Sequence, residues 1–231
     1  MSRQYQQTLQ LVLGSEEVAV HIQASRRKSM RLSLTDKGAV DLRIPLRAPR
    51  SEVLAFVKRH EQWLLQQRQR LAQQQQRWQQ AIMVLGRELP VSTSPDNEFL
   101  VAEQRIWVPA QWQASDIATA MDAWFRQQAK SRYQGLIEHW WPAFAQFGDK
   151  PVLRVKKMRT RWGSLSKRGY INLNLALMQC APDLIELVVV HELCHLRYFD
   201  HGRGFQQLMT QHLPDWQQRE RRLQQQGSML L

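Results

Sequence analysis

Val188-Val189-Val190-His191-Glu192-Leu193-Cys194-His195-Leu196, followed by His201, is the stretch on which the reading of this chain turns. Apolar residues run almost without interruption from Leu184 to Leu196, and Pro182 stands where a first helical turn tolerates it, so the segment predicts a buried helix over about Pro182 to Tyr198. On such a helix, positions i and i+4 share one face about 6 Å apart, which lets His191 and His195 reach one ion. Glu192 then sits beside that ion, where a carboxylate can take a proton from metal-activated water and pass it to a leaving group.

A third ligand is needed for a catalytic zinc site, and His201 lies ten residues after His191. That interval matches the HExxHxxGxxH pattern of zinc endopeptidases, but Tyr198 stands where the pattern has glycine. A tyrosine enters the left-handed backbone only with strain, so the chain is expected to leave the helix later, around Phe199 to Gly202. His201 is the favoured ligand over a solvent-facing loop role, with Asp200, Asp215 and Glu220 as carboxylate rivals.

Upstream, Arg159-Thr160-Arg161-Trp162-Gly163-Ser164 precedes Tyr170-Ile171-Asn172-Leu173-Asn174. Alternation over Leu153 to Met158 and Tyr170 to Leu175, with Lys167, Arg168 and Gly169 between, predicts a hairpin of two short strands. A sheet edge beside a metal helix suits an extended substrate, which binds through its backbone. Trp162, Asn172 and Asn174 serve equally well as packing and capping groups for the hairpin.

These motifs, in this order and at these intervals, make the chain resemble the YgjP-like metallopeptidase family, whose members typically read RWGSC, INLN, VVVHELxHL and Asn-His-Ser. The resemblance extends to Arg26-Arg27-Lys28-Ser29-Met30-Arg31-Leu32, Asp41-Leu42-Arg43-Ile44-Pro45 and the helix from Ser51, so it covers nearly the whole chain. It implies a zincin-like catalytic half with His191, His195 and His201 as ligands and Glu192 as general base. Leu165 replaces the cysteine after RWGS, and Asp200-His201-Gly202 replaces Asn-His-Ser. Neither change removes a ligand or the base. A motif shared with peptidases supports metal hydrolysis better than it identifies the bond cut.

Composition bounds the rest. A chain of 231 residues with 43% apolar content can bury one substantial core or two modest ones. Cys180 and Cys194 make no disulfide framework, the first residues have no basic start leading into an apolar run, and no segment approaches a membrane span. The reading is cytoplasmic, with no membrane partner. A net charge of +12 and a pI near 10.4 favour anionic partners, nucleic acid among them. The arginines of the Gln-rich stretch from Gln66 to Gln80, with Arg219, Arg221 and Arg222, read as solvated helix faces. The cluster Arg154, Lys156, Lys157, Arg159 and Arg161 precedes the hairpin and is placed to meet phosphates or an acidic peptide.

In the first half, strand patterns over Leu9 to Leu13, Val18 to Ile22, Met30 to Leu34 and Val40 to Ile44, with a turn at Asp36-Lys37-Gly38, predict a small antiparallel sheet. A helix from Ser51 fades into the Gln-rich segment. A short β region follows over Ala81 to Pro109, then a long amphipathic helix marked by Ile117, Met121, Phe125, Tyr133 and Ile137. His21, His60 and His139 read as structural.

The fold class is therefore α+β: a β-rich amino-terminal portion over 1–114, and over 115–231 a zincin-like portion with a small antiparallel sheet and the HExxH helix. The function read from the residues is a zinc-dependent hydrolase, foremost a metallopeptidase, with Glu192 as base and Arg161 stabilising the oxyanion. The second reading is a nucleoside triphosphate pyrophosphatase using the same site, with Mg2+ entering on the substrate. The third is a basic nucleic-acid adaptor holding a structural metal.

Overall fold

The computed structural model describes residues 5–35 and 38–230, and the chain divides into two compact units, 1–80 with 111–117 and 81–110 with 118–231. The first unit holds β1 (Tyr5–Leu13), β2 (Glu16–Ser25), β3 (Arg31–Leu34) and β4 (Val40–Pro45), followed by α1 (Arg50–Arg59) and α2 (Glu61–Gln80). Strand alternation does the sorting: Val18, Val20, Ile22 and Ala24 of β2 and Val40, Leu42 and Ile44 of β4 are buried, while the residues between them face out. Val53 and Val57 of α1 and Leu64 of α2 close the same core. Each such aliphatic side chain contributes about 1.5–3 kcal/mol.

All four predicted strands form, but the sheet is mixed, in the order β1-β2-β4-β3. β2 and β4 run parallel, with Ser25 level with Pro45, while β3 runs antiparallel to β4, with Arg31 opposite Arg43. Default hairpin pairing of successive strands does not foresee the parallel neighbour, because β3 folds back on the outer side of β4. Asp36 and Lys37 of the expected turn lie outside the described residues. The helix from Ser51 is two helices broken at His60, whose Nδ1 lies 2.8 Å from the Phe56 carbonyl oxygen, and the second carries the whole Gln-rich stretch.

The second unit has two small sheets. β5 (Ala81–Val84), β6 (Arg87–Thr93), β7 (Leu100–Val101) and β8 (Ile106–Val108) pair in the order β5-β6-β8-β7. The β5–β6 reversal turns on Leu85 and Gly86, both at positive φ. Their N–H groups donate to the carbonyls of Met178 and Gln179 at 2.8 and 3.2 Å, and a Cβ on Gly86 would meet Ala181 Cα at 2.8 Å. Those bonds fasten residues 81–110 to the second unit, whereas the sequence boundary near 114 groups them with the first.

The other sheet contains β9 (Val152–Lys156), β10 (Gly163–Leu165) and β11 (Tyr170–Asn174) in the order β10-β11-β9. Here the expected hairpin is corrected. Residues 152–156 do pair with 170–174, but in parallel, and the antiparallel hairpin is β10 with β11. Alternation gives strand positions without direction, and a parallel pair needs a crossover, here residues 157–169. The helices are α3 (Ala114–Phe144), which begins in the first unit and carries the predicted apolar stripe, α4 (Pro182–Cys194), α5 (Arg203–His212) and α6 (Trp216–Leu230). The protein is thus α+β with small mixed sheets. No helix among the described residues is long and apolar enough to cross a membrane.

Candidate metal centre

α4 is buried nearly all round, with Leu184, Ile185, Val189, Val190 and Leu193 fully enclosed, so the side chains it carries are held by packing on every side. Regular helix stops at Cys194, earlier than the expected exit near Phe199. The Leu196 N–H bonds the Leu193 carbonyl, an i→i+3 bond that tightens the last turn. Tyr198 does not adopt positive φ; its ring instead lies against the backbone of Gly204, where an added Cβ would meet Cε1 at 2.7 Å. The turn that glycine makes elsewhere is made here by an early helix end and a small residue on α5.

That turn brings His191, His195 and His201 together, with one nitrogen from each within 4.8 Å of the others. Among the described residues no other group of three metal-ligating side chains meets this spacing. His195 Nδ1–H donates to the Tyr198 carbonyl oxygen at 2.8 Å, which leaves Nε2 with its lone pair free. Nε2 of His201 lies 3.1 Å from Nε2 of His191, a spacing at which two lone pairs repel unless a proton or cation lies between them. Burial pushes His191 down to about 3, helped by the charges His195 and His201 would carry, and burial lowers His195 as well. Neutral imidazoles are what a divalent ion requires, so the donor set fits one. Of the carboxylate rivals, Asp215 is paired with Arg219 and an Asp200 oxygen accepts from the Gly202 N–H. Glu220 lies at a cavity wall instead.

Phe205, buried on α5, packs on all three imidazoles with ring centroids 4.8–5.0 Å away. Sequence reasoning did not pick it out; the i, i+3, i+4 spacing of Phe205, Leu208 and Met209 marks only a buried helix face.

Glu192 is 4% exposed, and its Oε2 has no hydrogen-bond partner. Burial raises its carboxyl to about 8, against the pull of the Leu165 backbone N–H and the Arg161 guanidinium. The Glu192 side chain lies against Gly163 so closely that an added Cβ would stand 2.8 Å from Cγ and 2.9 Å from Cδ. A cleft of about 260 Å³ opens beside it, walled by Arg161, Trp162, His191 and Glu192 and by Trp216, Glu220 and Leu223 of α6. α6 was not foreseen as a wall. Its Arg219, read from sequence as solvated, has a side chain only 16% exposed, bonded to Glu186 at 2.7 Å and to Asp215 at 2.9 Å. Of the basic cluster before the hairpin, Arg161 lines the cleft, Arg154 stacks on Tyr170 and Lys157 pairs with Asp122.

The loop that delivers Arg161 and Trp162 is fastened by Asn174. Its Nδ2 donates to the carbonyls of Met158 and Arg161 at 2.8 and 2.9 Å. Its Oδ1 accepts from the N–H groups of Met158 and Ala176 at 3.4 and 3.1 Å, and its own N–H donates to the Trp162 carbonyl. The Tyr133 hydroxyl donates to its carbonyl oxygen at 3.0 Å. Asn172 likewise holds Ser164. Both asparagines therefore organise backbone. Asn174→Ala strands several part-buried backbone groups at once and is expected to cost about 3 kcal/mol in urea denaturation; a loss near that of an exposed Asn→Ala change would show that the loop holds itself.

The family model described as YgjP-like, metallopeptidase domain matches residues 28–226. No curated protein and no solved structure matches the chain.

Proposed function

The chain belongs to the YgjP-like, metallopeptidase domain family, and from that premise we propose that it is a zinc-dependent peptidase in which His191, His195 and His201 hold the metal and Glu192 is the general base. The observation that carries this reading is Glu192 itself: a buried carboxylate, adjacent in sequence to one imidazole of the cluster, with one oxygen unpaired. Zinc in this cluster would act as a Lewis acid, making water nucleophilic near neutral pH and polarising the carbonyl under attack.

The remaining steps belong to the chain's own groups. Gly163 and the Leu165 N–H fix one side of the Glu192 carboxyl, leaving Oε2 to accept the proton of the attacking water and hand it to the departing amine. The Tyr198 carbonyl fixes the His195 ring, and Phe205 packs on all three imidazoles and limits how far their rings can turn. Arg161, beside Glu192 at the cleft, is assigned the charge that develops on the carbonyl oxygen. β10 is an edge strand of its sheet, which suits backbone pairing with an extended polypeptide. A cleft with apolar walls, an acidic Glu220 and Arg161 as its cation supports a polypeptide over a triphosphate.

The test is release of peptides from an unfolded polypeptide by the zinc-loaded protein, set beside release of phosphate or pyrophosphate from nucleoside triphosphates. Peptide release that a chelator stops supports the reading; nucleotide cleavage without peptide release overturns the substrate. For the ligand set, His201→Ala is expected to weaken zinc binding by at least about 100-fold in competition with a chromophoric chelator. Unchanged affinity would hand the third position to Glu220 or Asp215.

A further inference from the structure

The first unit carries a concentration of cations that the metal cluster, which belongs to the second unit, does not use. β2 and β4 are parallel and end level with one another, and β3 begins at the same end because it runs antiparallel to β4. Arg26, Arg27 and Lys28 follow β2, Arg31 opens β3, Arg43 is its direct partner on β4, Arg47 lies in the turn from β4 and Arg50 opens α1. Topology thus brings seven cations to one end of one sheet. Six are exposed, and Arg27, half-buried, keeps its Nε buried and unpartnered. The carboxylates in these segments are Asp41, two positions before Arg43, and Glu52 in the first turn of α1. Neither is ion-paired with any of the seven, whereas elsewhere Arg68, Arg126, Lys157, Arg219 and Arg222 each hold an acid.

The fold does not ask for this arrangement. Arg31 directly opposite Arg43 is a like-charge pair, which costs stability in an antiparallel ladder. A charge on the edge strand β3 is explained by protection against strand addition, but β4 is an inner strand and Arg43 has no such reason to be there.

We propose that this basic end of the first unit is a nucleic-acid-binding surface that grips backbone phosphates. Six of the seven cations are arginine, whose planar fork matches a phosphate bidentately. Strand ends about 4.8 Å apart spread them over about 10 Å, with the turns extending further, against a repeat of about 3.4 Å per nucleotide along a DNA strand. No exposed large apolar side chain falls between residues 24 and 50, so a membrane would find nothing there to bury. The site is independent of the metal and of the peptidase reading.

The experiment is fluorescence anisotropy of the full chain, chelator-treated and zinc-loaded, on a short labelled DNA duplex and a single strand across a salt series. With all seven cations on duplex phosphates, log K should fall against log salt with a slope of about −6. Arg26→Gln, Arg27→Gln, Arg31→Gln and Arg43→Gln combined should lower affinity by at least about tenfold and flatten the slope by about 3.6, while the same four changes to Lys keep most of the slope. Arg70→Gln with Arg77→Gln, exposed on α2, should leave both values unchanged. If the fourfold variant does not fold, Arg47→Gln with Arg50→Gln, in the turn and at the start of α1, reads the same surface and should flatten the slope by about 2. Wild-type slope in a folded variant, or no binding by the wild-type chain, overturns the proposal. Tighter binding to anionic vesicles or to polyglutamate overturns the choice of partner.

Discussion

Glu192→Gln is expected to keep its metal and lose hydrolysis. The amide matches the carboxylate in size, so the contacts with Gly163 and the wall of the cleft survive, but it cannot take a proton. A positioned general base supplies about 10²- to 10⁴-fold in rate, and in the proposed mechanism the same group would also deliver the proton to the leaving amine, so the loss should lie at the upper end. The comparison needs zinc content measured beside turnover. Full zinc with turnover within tenfold of wild type would remove Glu192 from the chemistry and reopen the reading of this cluster as a structural metal site.

Gly163→Ala is the second large effect, and it acts through Glu192. The added methyl would have to occupy space held by the Glu192 side chain, which is 4% exposed and walled in by α4 packing, so the carboxyl must move. A displacement of about 1 Å at a reacting group can cost 10²-fold, while overpacking costs about 1–3 kcal/mol of stability. The expected outcome is a fall in kcat of about 100-fold with zinc affinity retained and KM little changed. A merely structural role would lower stability without that split. Combined with Glu192→Gln, the alanine should add almost nothing to the loss of rate, because both changes remove the same event; full additivity would mean that Gly163 acts elsewhere.

Much of the site was legible because its chemistry is local. His191, Glu192 and His195 sit within five residues of one helix, where spacing alone dictates the shared face, and His201 follows by a short turn. What escaped is what long-range packing decides. Asn174 looked like a hairpin cap, yet it fastens a loop ending twelve residues upstream because β9 and β11 are parallel, a direction that alternation does not encode. Gly163 reads as one more loop glycine until the Glu192 side chain is in place. Phe205 and the α6 wall are ordinary amphipathic positions whose relevance depends on where α5 and α6 pack. In the first unit, the patterns over β1 to β4 located the strands, but the meeting of Arg26 to Arg31 with Arg43 to Arg50 follows from a parallel pairing of β2 and β4 that no local signal announces.

The chain also carries its own stopwatch. Its two cysteines, Cys180 and Cys194, both lie in the second unit, and each is fully enclosed, the Cys194 sulfur 3.5 Å from that of Met209. Burial pushes both thiols up to about 12, so a folded second unit offers an alkylating reagent neither access nor thiolate. The rate at which label accumulates therefore counts the openings of that half alone, leaving the other half silent.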